Sequence, residues 1–212
     1  MGMRALQFLD MSRRDFVRYF GASAGTWLAL HVAVMHERGW ATPPLEFTPS
    51  ISSAGGPENP DWRTVLVPAN EPGEPLIVSG TVYAADGKTP VESARLYVYH
   101  TDARGYYSQE GNDNRRPRLR GWIKTKADGR YQFCTIKPAP YPGRRIPAHI
   151  HATISAPGYV EHWLPEYWFE GDRYIGPQEI AANVGKGRFS QIVKPERGAD
   201  GILRAVRDIR LD

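Results

Sequence analysis

Cysteine is nearly absent from this sequence. Cys134 is the only one in 212 residues, so an internal disulfide is excluded. It sits in the strand-like run RYQFCTI and reads as a buried structural thiol rather than a nucleophile. A long hydrophobic run is missing too. The most apolar stretch, Tyr19 to Met35, is short for a membrane span of about 20 residues and carries His31. Beyond it there is no helix of convincing length and no repeat of solenoid type. Excess charge of one sign is also scarce. The formal net charge is +4, and part of that sits in the N-terminal tail, where Arg4, Arg13, Arg14, Arg18 and Arg38 face only Asp10, Asp15 and Glu37. The nearly balanced remainder argues against nucleic acid as a partner.

What the chain does have is punctuation. Its 18 Pro and 21 Gly, with 41% hydrophobic residues, suit one compact, loop-rich β domain. Residues 42–73 are rich in Pro, Ser and Gly with little periodicity and read as an arm or linker. Strand signals follow from residue 74 to 212. LIVSGTVYA leads to a turn at Asp86-Gly87, and ARLYVYH alternates Ala94, Leu96 and Val98 against Arg95, Tyr97 and Tyr99. A second Asp-Gly turn at Asp128-Gly129 joins GWIKT to RYQFCTI, and HIHATISA, RFSQIV and ILRAVRDIRL complete about seven or eight short strands. Short strands with turn chemistry at this spacing predict an all-β domain, an antiparallel two-sheet sandwich.

The first 41 residues read as an address. SRRDFVRYF, Ser12 to Phe20, pairs two arginines with Phe16 and Val17 ahead of the apolar stretch, the pattern of a twin-arginine export signal. Gly39-Trp40-Ala41 offers a small-x-small cleavage site. The expected location is therefore the periplasm or the exterior, with no stable membrane partner after export.

The chemistry-bearing residues lie in TIKPAPYPGRRIPAHIHAT. Side chains alternate along a strand, so the HIH of His149 and His151 puts both imidazoles on one face, where they can share a metal ion. Taken alone, that pair is also compatible with zinc, the third ligand coming from His100, His162, an Asp or a Glu, although no zinc-like spacing stands out. Tyrosine is a rare ligand whose phenol titrates near pH ~10, and it coordinates well only to a hard, highly charged ion that removes its proton. Tyr141 beside the pair therefore points to Fe(III).

DARGYY at Asp102 to Tyr107, KTKADGRYQFCTIKPAPYP at Lys124 to Pro142, and PAHIH at Pro147 to His151 resemble the intradiol ring-cleaving dioxygenases, the protocatechuate and catechol group. The resemblance implies a two-sheet sandwich with iron at one end, held by loops and strand ends. It implies that Tyr107, Tyr141, His149 and His151 are the Fe(III) ligands, with Tyr107 permanent, Tyr141 the dissociable axial ligand, His151 opposite Tyr141 and His149 equatorial. Tyr106, next to Tyr107, is not a ligand in this pattern. The implied reaction inserts both atoms of O2 into a catecholic substrate between its oxygenated carbons, giving a cis,cis-muconate, with no organic cofactor.

The chain departs from the family pattern at several points. The arginine three positions before the first histidine is Ile146, which leaves Arg144 and Arg145 as the candidates to supply that charge to catalysis. The tryptophan that follows PYP in protocatechuate enzymes is Gly143, and the expected glutamine of a QLYF-like segment is Glu166, an acid that disfavours a carboxylated substrate. The helical dimerisation segment of catechol 1,2-dioxygenases is replaced by the signal, and a homo-oligomer is left open. Two other classes compete with the enzyme: a non-catalytic transthyretin-like sandwich that binds a partner, and a zinc hydrolase built on HIH.

Overall fold

The structure, a computed structural model, describes residues 56–108 and 117–212. The expected signal segment and the first part of the expected arm lie outside those residues. The later part of the arm does not hang free: Arg63–Val65 forms strand β1 and pairs in parallel with Arg130–Ile136, with Leu66 and Val67 buried behind it.

The remaining elements in chain order are β2 Pro75–Tyr83, β3 Arg95–His100, β4 Leu119–Lys124, β5 Arg130–Ile136, β6 His149–Ala156, β7 Tyr159–Trp163, β8 Tyr167–Phe169, helix α1 Pro177–Asn183, and the short strands β9 Ile192–Val193, β10 Glu196–Arg197, β11 Leu203–Val206 and β12 Ile209–Arg210. One sheet runs β1-β5-β2-β11-β10 with β12 also on β2, and the other runs β4-β3-β6-β8-β9 with β7 on β6. The two-sheet sandwich is the expected one. Its central pairings are antiparallel, while β1 on β5, β11 and β12 on β2, and β9 on β8 run parallel, so both sheets are mixed.

Period-two alternation builds the core. Leu76, Val78 and Val82 of β2 and Tyr131 and Phe133 of β5 meet Leu96 and Val98 of β3 and Ile150, Ala152 and Ile154 of β6. Each large apolar side chain fully buried there contributes roughly 1.5–3 kcal/mol. Both Asp-Gly turns form with glycine at positive φ, Gly87 at 66° and Gly129 at 72°. Helix α1 is only 7 residues long, starts with Pro at its first turn, and ends its first turn with Glu179 accepting from the Gly176 N–H at 3.0 Å.

One consequence of the alternation positions the site. The residues of β3 and β6 that do not face the core, Tyr97, Tyr99, His149, His151 and Thr153, all lie on the outer face of the second sheet, because Tyr99 pairs with His151 and Tyr97 with Thr153. That face is not solvated: Tyr97 and Tyr99 are 4% and 1% exposed.

Candidate metal centre

Two loops close over the outer face of β6. The first, between β3 and β4, carries Tyr107. Asp102 organises it by accepting the backbone N–H of Arg104 at 2.9 Å and of Tyr106 at 3.0 Å. Burial works to raise the Asp102 carboxyl, but those two N–H groups and the Arg104 guanidinium outweigh it and hold it below the usual carboxylate range. The Tyr107 carbonyl is fixed by the Arg118 N–H at 2.8 Å. The second loop, between β5 and β6, carries Tyr141. Thr101 Oγ1 donates to the Ala139 carbonyl at 2.8 Å, and the Ala139 N–H donates to the Asp102 carbonyl at 3.1 Å, so the two loops are stitched together. Gly105 makes this approach feasible: its φ is 88°, and a Cβ there would lie 2.1 Å from the Pro140 carbonyl oxygen.

The four residues singled out as ligands come together. Tyr141 Oη lies 2.9 Å from His149 Nε2 and 3.2 Å from His151 Nε2, Tyr107 Oη lies 2.8 Å from His151 Nε2, the two Nε2 atoms are 3.0 Å apart, and the two phenol oxygens are in direct contact. The tautomer of His149 follows from its other ring nitrogen. His149 Nδ1 donates to the Pro147 carbonyl at 2.7 Å, and His151 Nδ1 faces a Glu166 carboxylate oxygen at 3.2 Å. His149 Nε2 therefore turns a bare lone pair inward.

The two phenols and the two imidazoles thus stand within hydrogen-bond distance of one another around a single point. Burial, helped by His149 and His100, pushes His151 down to about 3, so its imidazole is neutral. Burial above all, then contact with the Tyr141 hydroxyl, raises the Tyr107 phenol far above its ordinary value. Tyr141 is also raised by burial, an effect opposed by its hydrogen bond with Tyr107 and by the Arg144 charge. Donor atoms held about 2.0–2.2 Å from one ion lie roughly 3 Å apart, and this is the spacing found here. Two phenols that give up protons and two neutral imidazoles form a set of charge minus two, which fits a hard trivalent cation.

The surroundings are aromatic. Tyr99 stacks on His151 with ring centroids 4.7 Å apart and planes at 22°, and Tyr97 and Trp122 extend the ladder at 5.5 Å and 4.9 Å. Trp163, 53% exposed, stands edge-on at the mouth, 6.2 Å from His151. Sequence reasoning did not assign Tyr99 or Trp163 to the site. The alternation of ARLYVYH placed Tyr99 opposite Leu96 and Val98, but only the β3–β6 pairing reveals that its face is also that of the histidines.

The other candidates separate clearly. His100 is fully buried, with Nδ1 2.7 Å from the Thr101 carbonyl and Nε2 2.6 Å from Thr135 Oγ1, so both ring nitrogens are occupied and it is structural. His162 lies on β7, its Nδ1 3.0 Å from the Val160 carbonyl. Cys134 is buried, and burial pushes its thiol up to about 11. Arg144 and Arg145 are exposed on the turn after Tyr141, and of the two only Arg144 acts electrostatically on the Tyr141 phenol. Gly143 in that turn has φ 73°, a conformation that suits glycine and not the tryptophan of protocatechuate enzymes. Glu166 does stand beside the centre, and with His149 and His151 it forms a group whose ligand atoms lie within 4.8 Å of one another.

Residues 48–212 match the family Dioxygenase_C, described as Dioxygenase. Among curated proteins, the chain is 32% identical over 139 residues to catechol 1,2-dioxygenase 2 of Acinetobacter lwoffii, covering 58% of this chain and 49% of that one. It is 34% identical over 124 residues to 6-chlorohydroxyquinol 1,2-dioxygenase of Cupriavidus pinatubonensis, covering 51% and 44%. The chain thus spans about half the length of these relatives. Among solved structures, the dioxygenase domain of a dioxygenase carbohydrate-binding fusion from Streptomyces sp. SirexAA-E superposes with a TM-score of 0.55 at 28% identity, covering 78% of this chain and 99% of that domain.

Proposed function

This chain belongs to that dioxygenase family, and from this premise we propose that it is a non-haem, Fe(III)-dependent intradiol dioxygenase that opens a catecholic ring between its two oxygenated carbons, with O2 as co-substrate and a cis,cis-muconate as product. The observation that carries the reading is the convergence of Tyr107, Tyr141, His149 and His151 on one point, two phenol oxygens and two imidazole Nε2 atoms about 3 Å apart. These four residues would hold the metal. An Fe(III) ion held there would supply a Lewis acid that makes the ring carbon of a catecholic substrate open to attack by O2.

The two phenols are not equivalent. Tyr107 is 3% exposed and locked between loops, whereas Tyr141 is half-buried at the rim. Tyr141 Oη is therefore the atom that meets an incoming catechol and takes one of its protons. Trp163 offers an aromatic edge to a planar ring at the mouth, and the buried face of Tyr97, Tyr99 and Trp122 excludes water behind His151. Glu166 leaves an acid beside the site, which favours an uncarboxylated catechol or hydroxyquinol over protocatechuate. The named substrates of the relatives agree with that preference.

The grouping of His149, His151 and Glu166 supports a second reading, a zinc site of His2Glu type. Metal analysis with visible spectroscopy separates the two, since tyrosinate on Fe(III) colours a protein red-brown while zinc leaves it colourless. A transthyretin-like binding module would be colourless as well. Iron at about one per chain, a visible band and oxygen uptake with catechol support the dioxygenase. Stoichiometric zinc with iron available, and no band, refutes it. Export by the twin-arginine route completes the proposal; it rests on SRRDFVRYF and is tested by replacing Arg13 and Arg14 with Lys, which should retain the protein in the cytoplasm.

A further inference from the structure

The Tyr99 hydroxyl has no partner among the described residues. Its ring is 1% exposed and held on several sides: it stacks on His151 at 4.7 Å, lies 5.5 Å from Tyr97 and 5.8 Å from Tyr107, and meets Trp163 edge-on at 6.3 Å. Other buried phenols are engaged. Tyr131 donates to the Arg207 carbonyl at 2.7 Å and bonds Tyr167 at 3.0 Å, and Tyr107 meets Tyr141. A buried phenol normally finds such a partner, and the little surface that Tyr99 keeps includes its hydroxyl oxygen. Burial above all, then Tyr97, Tyr141 and Glu166, raises the Tyr99 phenol, so the hydroxyl faces the space that Tyr141 and Glu166 also border. Tyr97, one step further along the ladder, is raised by burial and lowered by Arg120, with no action from Tyr141 or Glu166.

Two polar groups therefore border the centre without belonging to its four converging residues. The Tyr99 hydroxyl donates, since a phenol keeps its proton at neutral pH. The Glu166 carboxylate accepts: its side chain is 32% exposed, one oxygen takes the Trp168 indole N–H at 3.0 Å, and no Lys or Arg among the described residues pairs with it. We propose that Tyr99 is a specificity-determining residue: its hydroxyl donates to an oxygen substituent on the ring of the bound catechol and, with Glu166 on the same space, selects a ring that carries a third hydroxyl. The substituent chemistry decides this. A hydroxyl can accept from Tyr99 and donate to Glu166. A carboxylate can accept from Tyr99 but is repelled by Glu166. A chlorine, a methyl or an unsubstituted ring leaves both groups unpaired in a desolvated place, which lowers affinity. The substrate class is thus a benzenetriol, such as 1,2,4-trihydroxybenzene, ahead of catechol itself.

The inference rests on the dioxygenase reading of the same centre, and the test keeps the two apart. Iron-loaded wild type and Tyr99→Phe are titrated without oxygen against 1,2,4-trihydroxybenzene and against catechol, with binding read from tryptophan fluorescence and from the visible band. Iron content and melting temperature are measured alongside. Phenylalanine keeps the ring that stacks on His151 and removes only the hydroxyl. Wild type should bind the triol more tightly than catechol, and Tyr99→Phe should lose about 2–10-fold of that preference, the worth of one neutral hydrogen bond, with iron and melting temperature as in wild type. In oxygen uptake the same loss should fall on KM for the triol rather than on kcat. A wild type that binds the two ligands alike, or prefers catechol, overturns the proposal without any variant. An unchanged preference in Tyr99→Phe overturns it as well, and loss of iron or of stability in that variant would make the hydroxyl a support of the centre instead. All of these leave the dioxygenase reading intact while wild type carries iron and takes up oxygen with a catechol. A wild type that does neither sinks both.

Discussion

His149 and His151 bring their Nε2 atoms to 3.0 Å of each other, while the Pro147 carbonyl accepts from His149 Nδ1 and a Glu166 carboxylate oxygen lies 3.2 Å from His151 Nδ1. With Tyr107 and Tyr141 completing the set, a cation that enters must displace both phenol protons. Metal affinity should therefore rise with pH wherever the phenols of the free protein are protonated, because proton release drives binding. Two protons correspond to about a hundredfold per pH unit, measured by chelator competition across the neutral range. Tyr107→Phe, which removes the buried phenol, should lose most of the iron and most of the colour. A pH-independent affinity would mean that the phenols do not ionise on loading.

Gly105 decides whether the two tyrosine loops can meet. An alanine there would place its Cβ 2.1 Å from the Pro140 carbonyl oxygen at φ 88°. Strain of this kind costs of order 1–3 kcal/mol before any clash is relieved, and relief would push the Tyr141 loop away from the histidines. Gly105→Ala should therefore lower the melting temperature by several degrees and also reduce iron content. A variant with full iron and an unchanged melting temperature would show that the loops are held by other contacts.

Much of this could be read from the sequence for a physical reason. Period-two alternation in ARLYVYH and HIHATISA assigns side chains to faces, and the Asp-Gly turns at Gly87 and Gly129 need only local chemistry. Strand partners are a different matter, because they are set by long-range packing that no local pattern encodes. The parallel docking of β11 and β12 on β2, and the inclusion of Arg63–Val65 in the sheet, were invisible for that reason. The same holds at the centre. The motif spacing pointed to Tyr107, Tyr141, His149 and His151, but Tyr99 and Trp163 enter the site only through the pairing of β6 with β3 and β7. Glu166 was legible as an acid near the pocket, and its contact with His151 Nδ1 was not.

His100 gives the fold a pH dependence of its own. Burial, opposed by the hydrogen bond to the Thr101 carbonyl and reinforced by His149, pushes its imidazole down to about 4. An unfolded histidine titrates near 6.5, so between those values the unfolded chain takes up a proton that the folded chain refuses. The stability it contributes is full above about pH 6.5 and is lost as pH falls toward 4, by about 3 kcal/mol at the lower limit. Urea unfolding at pH 7.5 and pH 4.5 should show this loss in wild type, and a smaller one in His100→Gln. Equal losses in the two proteins would assign the acid sensitivity to carboxylates instead.

Arg144 is the remaining charge that the chemistry calls for. The sequence left Arg144 and Arg145 as equal candidates to replace the arginine missing at Ile146. In the structure both are exposed, and the Arg144 charge works to lower the Tyr141 phenol against burial and the Glu166 charge, which raise it. A cation that stabilises phenolate at Tyr141 is also placed to stabilise negative charge on a catecholate bound beside it. Removing one such donor typically costs about 10²–10³ in turnover, whereas removing a solvated arginine costs little. Arg144→Ala should accordingly keep its iron and lose oxygen uptake by that factor with catechol or 1,2,4-trihydroxybenzene, while Arg145→Ala stays within a few-fold of wild type. The reverse pattern would transfer the role to Arg145. If both variants keep iron and full turnover, neither guanidinium stabilises the reacting ring, and Arg144 acts on Tyr141 without consequence for the rate.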